Sequence, residues 1–328
     1  MNEIITRTTT QPIEYEFQKV AIQRKLITSS NEHKQFKRIE AGTIGENYFK
    51  NILNEFGQKH WSFMQNVWLH DFTDFECDYL LFTSHYVYVF EIKNYFGRFE
   101  YLNGQCRSRG VDITYNPINQ AHNATIHLRN LLSGVPVRGV LVFIGEHNQV
   151  HIHDEIDYID ILCRNDIYQY IQDIIAEENQ TQLAINSASI ISILQKHMIE
   201  SPYPFKPYYP SQMVERNTGI FCARCGKGLD WTRQSYITCT CGFHEYRKHL
   251  IVRTICEYGI LTYGTNFTVS DIYYLFQCKI SRNSLRVILE KYFNRVPNQS
   301  ILTFENPGRN ITHSILFDKP NKIILHHN

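Results

Sequence analysis

The chain has 328 residues, 43% of them hydrophobic and 13% aromatic, with 33 Lys/Arg against 32 Asp/Glu. That is ample for a packed core and exceeds one typical domain, so two or three are expected. No apolar run approaches the roughly 20 residues of a membrane-spanning helix, and the polar start MNEIITRTTTQ does not read as a secretory leader, so a cytoplasmic protein without membrane contact is expected.

The charge is unevenly spread. Residues 1–200 carry 17 Lys/Arg against 24 Asp/Glu, and residues 201–328 carry 16 against 8, a balance of +8. The C-terminal third is therefore the expected holder of a polyanion. The Cys count is nine, an odd number, and four Cys cluster between 222 and 241, a pattern of metal binding in a reducing compartment rather than of disulfides.

Taken in chain order, residues 13–27 read as a short amphipathic helix. A second helix starts near Asn31 and runs through AGTIGENYFKNILNEF, where Ile44, Tyr48, Ile52 and Phe56 recur every fourth residue and predict one apolar stripe. Gly42 and Gly45 permit this helix to approach another backbone closely. WSFMQNVWLH (61–70) and ECDYLLF (76–82) read as strands, with Asp71, Asp74 and Glu76 as loop and surface carboxylates.

The next run, HYVYVFEIKNY (85–95), mixes β-branched and aromatic residues on both faces, as a central strand does. Its end carries Glu91 and Lys93, whose alternation turns both side chains to one face. Burying two charges is costly unless they meet each other, a metal or a charged substrate. A hairpin near Thr83–Ser84 would bring Asp78 beside Glu91, giving a carboxylate pair suited to Mg²⁺ with a cation next to it. A small hairpin follows, RFEYLNGQCRSR, in which Arg98, Arg107 and Arg109 read as solvated. Asn116-Pro117 starts a helix bearing Gln120. VRGVLVFIG is a buried strand, parallel to a neighbour because a helical crossover precedes it. YIDIL, RNDIYQYIQDIIAEE and residues 186–199 add a strand and two helices.

At these residues the chain resembles a known group. Asp78-x12-Glu91-x-Lys93 is similar to the active-site pattern of the PD-(D/E)XK nuclease superfamily. AGTIGENYF with Glu46, ECDYLLF with Asp78, YVFEIKNYFGRF with Glu91 and Lys93, and NPINQAHNATIHL with Gln120 together resemble the nuclease-related domain (NERD) family over roughly residues 35–145. Cys77 stands where the superfamily name implies Pro. The resemblance implies a restriction-endonuclease-like α/β/α core with a mixed sheet, catalytic roles for Glu46, Asp78, Glu91, Lys93 and Gln120, and Mg²⁺ or Mn²⁺ on Asp78 and Glu91. It also implies nucleic acid as substrate, DNA in preference to RNA.

Four Pro in SPYPFKPYYPS (201–211) exclude helix and mark a linker at 201–218, closing a domain of residues 1–200. A zinc ribbon is expected over 219–245. Cys222-x2-Cys225 and Cys239-x-Cys241 supply paired thiolates for Zn²⁺, with Gly226 and Gly242 at the turns; the second pair is tighter than the usual spacing, so His244 stands as an alternative ligand. Residues 246–328 read as a small basic winged-helix-like domain. Its last helix presents Leu285, Ile288, Leu289 and Tyr292 to a core and Arg282, Asn283 and Arg286 outward to nucleic acid, and a wing is expected around Asn306–Asn310. Three further readings remain open: a catalytically silent nucleic-acid-binding protein, a scaffold for protein partners, and a homo-oligomer.

Overall fold

The computed structural model describes residues 2–3, 13–180, 184–204, 206–208, 213 and 217–309. The chain divides into two compact units, Met1–Thr8 with Glu40–Pro202, and Thr9–Ile39 with Tyr203–Asn328. The first elements in chain order are β1 (Asn2–Glu3), α1 (Glu14–Gln23) and α2 (Ser30–Phe56).

In the first unit, β2 (Ser62–His70), β3 (Asp74–Phe82) and β4 (Val87–Lys93) form an antiparallel meander. The three-stranded excursion β5 (Gly97–Leu102), β6 (Gln105–Ser108) and β7 (Val111–Ile113) leads to α3 (Pro117–Leu131), whose crossover returns the chain as β8 (Val137–Phe143), parallel to β4. β9 (Asn148–Ile152) joins the excursion, and β10 (Asp160–Cys163) extends the main sheet before α4 (Ile167–Gln180) and α5 (Ser187–His197). The six-stranded sheet has the order β1-β2-β3-β4-β8-β10 and mixes parallel and antiparallel pairs.

Helices cover both faces of this sheet. On one, Phe49 and Leu53 of α2 and Ile167, Ile171 and Ile174 of α4 pack on Tyr79, Tyr88 and Phe90. On the other, Ala124 and Leu128 of α3 and Ile190 and Leu194 of α5 pack on Cys77, Val87 and Val89. This is the expected α/β/α arrangement, with β4 buried on both faces as its residue pattern requires.

The buried face of α2 differs from the expected stripe. Gly45, Phe49 and Leu53 are buried, while Ile44 and Phe56 are exposed. Two apolar stripes lie one residue apart on this helix, and Gly45 selects between them. A Cβ there would lie 2.8 Å from Cβ of Asn94 and 2.9 Å from Cγ2 of Ile144, so only glycine lets the helix press onto the end of β4.

The second unit begins, in chain order, with α1, although residues 1–200 were expected to stay together. Phe17, Val20 and Ala21 share a core with Ile260, Leu261 and Tyr263. The fully buried Arg24 gives its Nη2 to Oε2 of Glu257 at 2.8 Å and its Nη1 to the carbonyls of Asn217 and Gly219. The short strands β11 (Ile220–Phe221) with β12 (Gly228–Leu229), and β13 (Tyr236–Thr238) with β14 (His244–Tyr246), make two antiparallel hairpins. They precede α6 (Arg247–Leu261), β15 (Phe267–Thr268), α7 (Val269–Leu275), α8 (Arg282–Tyr292) and β16 (Thr303–Phe304), which pairs antiparallel with β15. One core unites Ile220 and Ile237 of the hairpins with Leu250, Ile255, Ile272, Leu285 and Leu289 of the helices. The expected wing continues past residue 309, outside the described residues.

Candidate active site and metal centre

The ladder between β3 and β4 runs from Phe82↔Val87 to Tyr79↔Phe90 and stops there. Where the next pair would form, the strands part. Oδ2 of Asp78 instead accepts the backbone N–H of Ile92 at 2.7 Å. β2 is irregular at the same level. Asn66 has a φ of 52° and is absent from the β2–β3 pairing, between Gln65↔Tyr79 and Val67↔Cys77. Both strands change face there, since Met64 and Val67 share one core while Phe63 belongs to the other, and Cys77 and Leu80 likewise sit opposite Tyr79. Such bulge-like irregularities re-aim side chains and recur at active sites. Here the irregularity places Asp78 at the parting strands.

Glu91 and Lys93 lie two residues apart on β4. Nζ of Lys93 is 2.5 Å from Oε1 of Glu91, whose side chain is only 2% exposed. From α2, Glu46 accepts a hydrogen bond from Nδ2 of Asn66 at 3.3 Å, and its backbone carbonyl accepts one from the Tyr79 hydroxyl at 3.1 Å. Gln120 lies one turn before Ala124 on α3, the helix that covers the β4 face bearing Glu91 and Lys93. Its Oε1 is buried without a hydrogen-bond partner among the described residues.

Two residues of this site were not anticipated. Glu76, expected to be a surface carboxylate, is half-buried two residues before Asp78 on β3 and close enough to feel its charge. The signal was present in the i, i+2 alternation of the strand, but it does not reveal which face is covered. Tyr115 precedes α3 and presents its ring to the Lys93 ammonium, 5.2 Å from Nζ to the ring centroid. Asp74 is exposed, as expected, though at the start of β3, and is bound to Nδ1 of His70 at 2.6 Å; Asp71, expected at the surface, is 16% exposed with its Oδ2 buried 3.6 Å from Nδ1 of His127.

The electrostatics of this cluster are lopsided. Burial pushes every carboxyl upward. Glu46 is raised by burial and then by the charge of Asp78. Glu76 is raised to about 7 by burial and by Asp78 and Glu46. Asp78 is raised by burial against the opposing influence of Lys93 and the Ile92 N–H. Glu91 is raised to about 8 by burial and by Asp78. Burial works to lower Lys93, but Glu91 and Asp78 more than offset it and hold the ammonium protonated above its ordinary range. Tyr115 is pushed up to about 12, chiefly by burial. Four acids thus share one ammonium, and all four supply hard oxygen donors. Among the described residues no three of these carboxylates bring oxygens within 4.8 Å of one another, so a divalent cation would draw on the Asp78 and Glu91 pair rather than on all four, and would relieve part of the repulsion.

In the second unit, the sulfurs of Cys222, Cys225, Cys239 and Cys241 all lie within 4.8 Å of one another. Sγ of Cys222 is 3.7 Å from that of Cys241, and Sγ of Cys225 is 3.6 Å from that of Cys239. These contacts are far longer than a disulfide. They match the edge of a tetrahedron with a metal–sulfur bond of about 2.3 Å, an edge of about 3.8 Å. Tight turns set the spacing: Gly226 N–H donates to Cys222 O, and Gly242 N–H to Cys239 O, both glycines having positive φ. The backbone N–H of Cys241 pulls the Cys239 thiol down to about 6 while burial pushes Cys222 up to about 12, so one thiolate forms readily and a metal would have to displace the protons of the others. His244 pairs with Thr238 in β14 and is not a member of this group.

On α8, Arg282, Asn283 and Arg286 are all exposed, as expected. Two of them are engaged. Arg282 donates to Ser270 Oγ at 2.6 Å and lies over the Tyr273 ring, and Arg286 Nε bonds Glu290 Oε1 at 2.8 Å.

Comparison with known families shows that residues 41–144 match the nuclease-related domain, NERD. The matched span takes in α2 from Ala41, the β2–β3–β4 meander, α3 and β8, and with them Glu46, Glu76, Asp78, Glu91, Lys93 and Gln120. No curated protein and no solved structure matches the chain. No helix among the described residues is long and apolar enough to cross a membrane.

Proposed function

We propose that the chain is a metal-dependent nuclease that hydrolyses phosphodiester bonds of nucleic acid, DNA in preference to RNA. The observation that carries this reading is the meeting of Asp78, Glu91 and Lys93 where β3 and β4 part, inside the span that matches a nuclease-related domain. Asp78 and Glu91 would hold Mg²⁺ or Mn²⁺. That ion, when bound, would neutralise charge on the scissile phosphate and acidify a water.

The chain's own groups would divide the remaining work. Lys93, held protonated, acts as a fixed positive charge toward the phosphoryl oxygens rather than as a base. Attack of water forms one P–O bond and breaks the ester P–O bond. Gln120, whose buried Oε1 has no hydrogen-bond partner among the described residues, would accept from that water, and Glu46 in the same cluster would take up a proton. Zinc on Cys222, Cys225, Cys239 and Cys241 would be structural, closing the two knuckles into the core shared with α6. The reading further assigns nucleic-acid contacts to Arg282, Asn283 and Arg286, and a cytoplasmic location.

A second reading, a silent nucleic-acid-binding protein, draws support from the Lys93 ammonium, which already occupies one oxygen of Glu91. One experiment separates the two. The parent and Lys93→Ala are assayed with Mg²⁺ or Mn²⁺ on single-stranded, duplex and nicked DNA and on RNA, alongside binding to the same strands. Under the nuclease reading the variant loses roughly a hundredfold or more in turnover while binding is kept. Equal cleavage by both proteins, or none by the parent on any substrate, would favour the silent protein.

A further inference from the structure

The second hairpin of the Cys₄ module carries more aromatic surface than its fold requires. Across β13 and β14, Tyr236 pairs with Tyr246, Ile237 with Glu245, and Thr238 with His244. Alternation divides these residues between two faces. Ile237 turns inward and joins the core of the unit. Glu245 turns the same way and binds Arg253, with Nη2 to Oε2 at 2.8 Å. The outward face is left with Tyr236, Tyr246, His244 and Thr238. The centroids of the two tyrosine rings are 4.1 Å apart at 36°, and each residue remains 42% exposed. His244 stands edge-on to Tyr236 at 6.5 Å.

The flanks of this pair are basic. Arg247 follows Tyr246 directly, its N–H donates to Ser235 O and its guanidinium to Arg233 O. Arg233 is exposed, whereas Lys248, also exposed, turns its ammonium to the buried Tyr292 ring of α8, 5.4 Å from the centroid. The hairpin's own carboxylate, Glu245, is consumed by Arg253 on the inner face and does not cancel this charge.

We infer that the outward face of β13–β14 binds single-stranded nucleic acid, with bases stacking on Tyr236 and Tyr246 and phosphates meeting Arg233 and Arg247. The chemistry is complementary on both counts. An aromatic face accepts any unpaired base, and neighbouring cations track the backbone. A duplex hides its base faces, so it cannot use the tyrosines. A cross-strand aromatic pair also stabilises a hairpin, but that role does not call for a basic rim. The inference stands whether or not the carboxylate site cleaves, because it concerns binding by a different unit.

The test is fluorescence anisotropy with a labelled thymidine oligonucleotide of about 15 nucleotides, near the upper end of single-strand site sizes. A uridine oligomer of the same length and a matched duplex serve as the other arms, all with full-length protein and no added magnesium. Tyr236→Leu/Tyr246→Leu keeps apolar bulk, and Tyr236→Phe/Tyr246→Phe keeps the rings; zinc content and the thermal transition verify folding. The expected result is single-strand binding weakened about tenfold or more by the Leu pair, with the Phe pair within about twofold of the parent and duplex binding unaffected. Comparable losses on thymidine and uridine strands would mark general single-strand binding, and a loss on one alone would assign the face to that nucleic acid. Unchanged single-strand affinity in a folded Leu variant, equal losses on duplex, or no binding of either single strand by the parent would overturn the inference and leave the face to a protein contact.

Discussion

Glu76→Gln tests the electrostatics of the carboxylate cluster directly. In the folded protein Glu76 titrates near 7, against an ordinary value of 4.5. Because the folded value is raised, the stability this group contributes is fully present below about 4.5 and is lost as pH rises through about 7. The whole shift corresponds to about 3 kcal/mol, and part of it depends on whether Asp78 and Glu46 are themselves charged, so about 1–3 kcal/mol is expected. Gln keeps the shape beside its cross-strand neighbour Trp68, but it never ionises. The variant should match the parent near pH 4.5 and exceed it by that margin at pH 8. Urea unfolding in a Trp231→Phe background, where Trp61 and Trp68 report the first unit, measures both. Millimolar magnesium at pH 8 should narrow the gap, since a bound cation relieves the same repulsion. A difference independent of pH, or a variant less stable than the parent at pH 8, would refute the burial-and-repulsion account.

Elemental analysis should find about one zinc per chain, and Cys222→Ser should lose most of it because the remaining three thiolates leave the tetrahedron open. Glu257→Ala should cost about 3–5 kcal/mol in the second unit, read by thermal or urea unfolding, since it strands the buried Arg24 and Arg253 guanidiniums without their shared carboxylate. Gly45→Ala should destabilise the first unit by about 1–3 kcal/mol. It should also lower any nuclease activity in parallel, because the Cβ that meets Asn94 and Ile144 displaces the α2 turn carrying Glu46.

The features legible in the sequence were those fixed by short-range geometry. Apolar residues on both faces of 87–92 require a doubly covered strand, and the two-residue period places Glu91 and Lys93 on one side of it. The short Thr83–Ser84 turn brings Asp78 back to that strand, and two knuckles of Cys and Gly close a thiolate cluster from local turns alone. Tertiary structure decided what depends on neighbours remote in the chain. The α2 stripe moved by one residue because Gly45 meets Asn94 and Ile144. Helix α1 joined the second unit because Arg24 finds Glu257 more than two hundred residues away. Glu76 became part of the cluster through burial and the proximity of Asp78 and Glu46. Period and spacing report the direction of a side chain along its own element. Desolvation, Coulomb repulsion and steric exclusion arise from what the fold places opposite it, and those set the charge state and chemistry of each group.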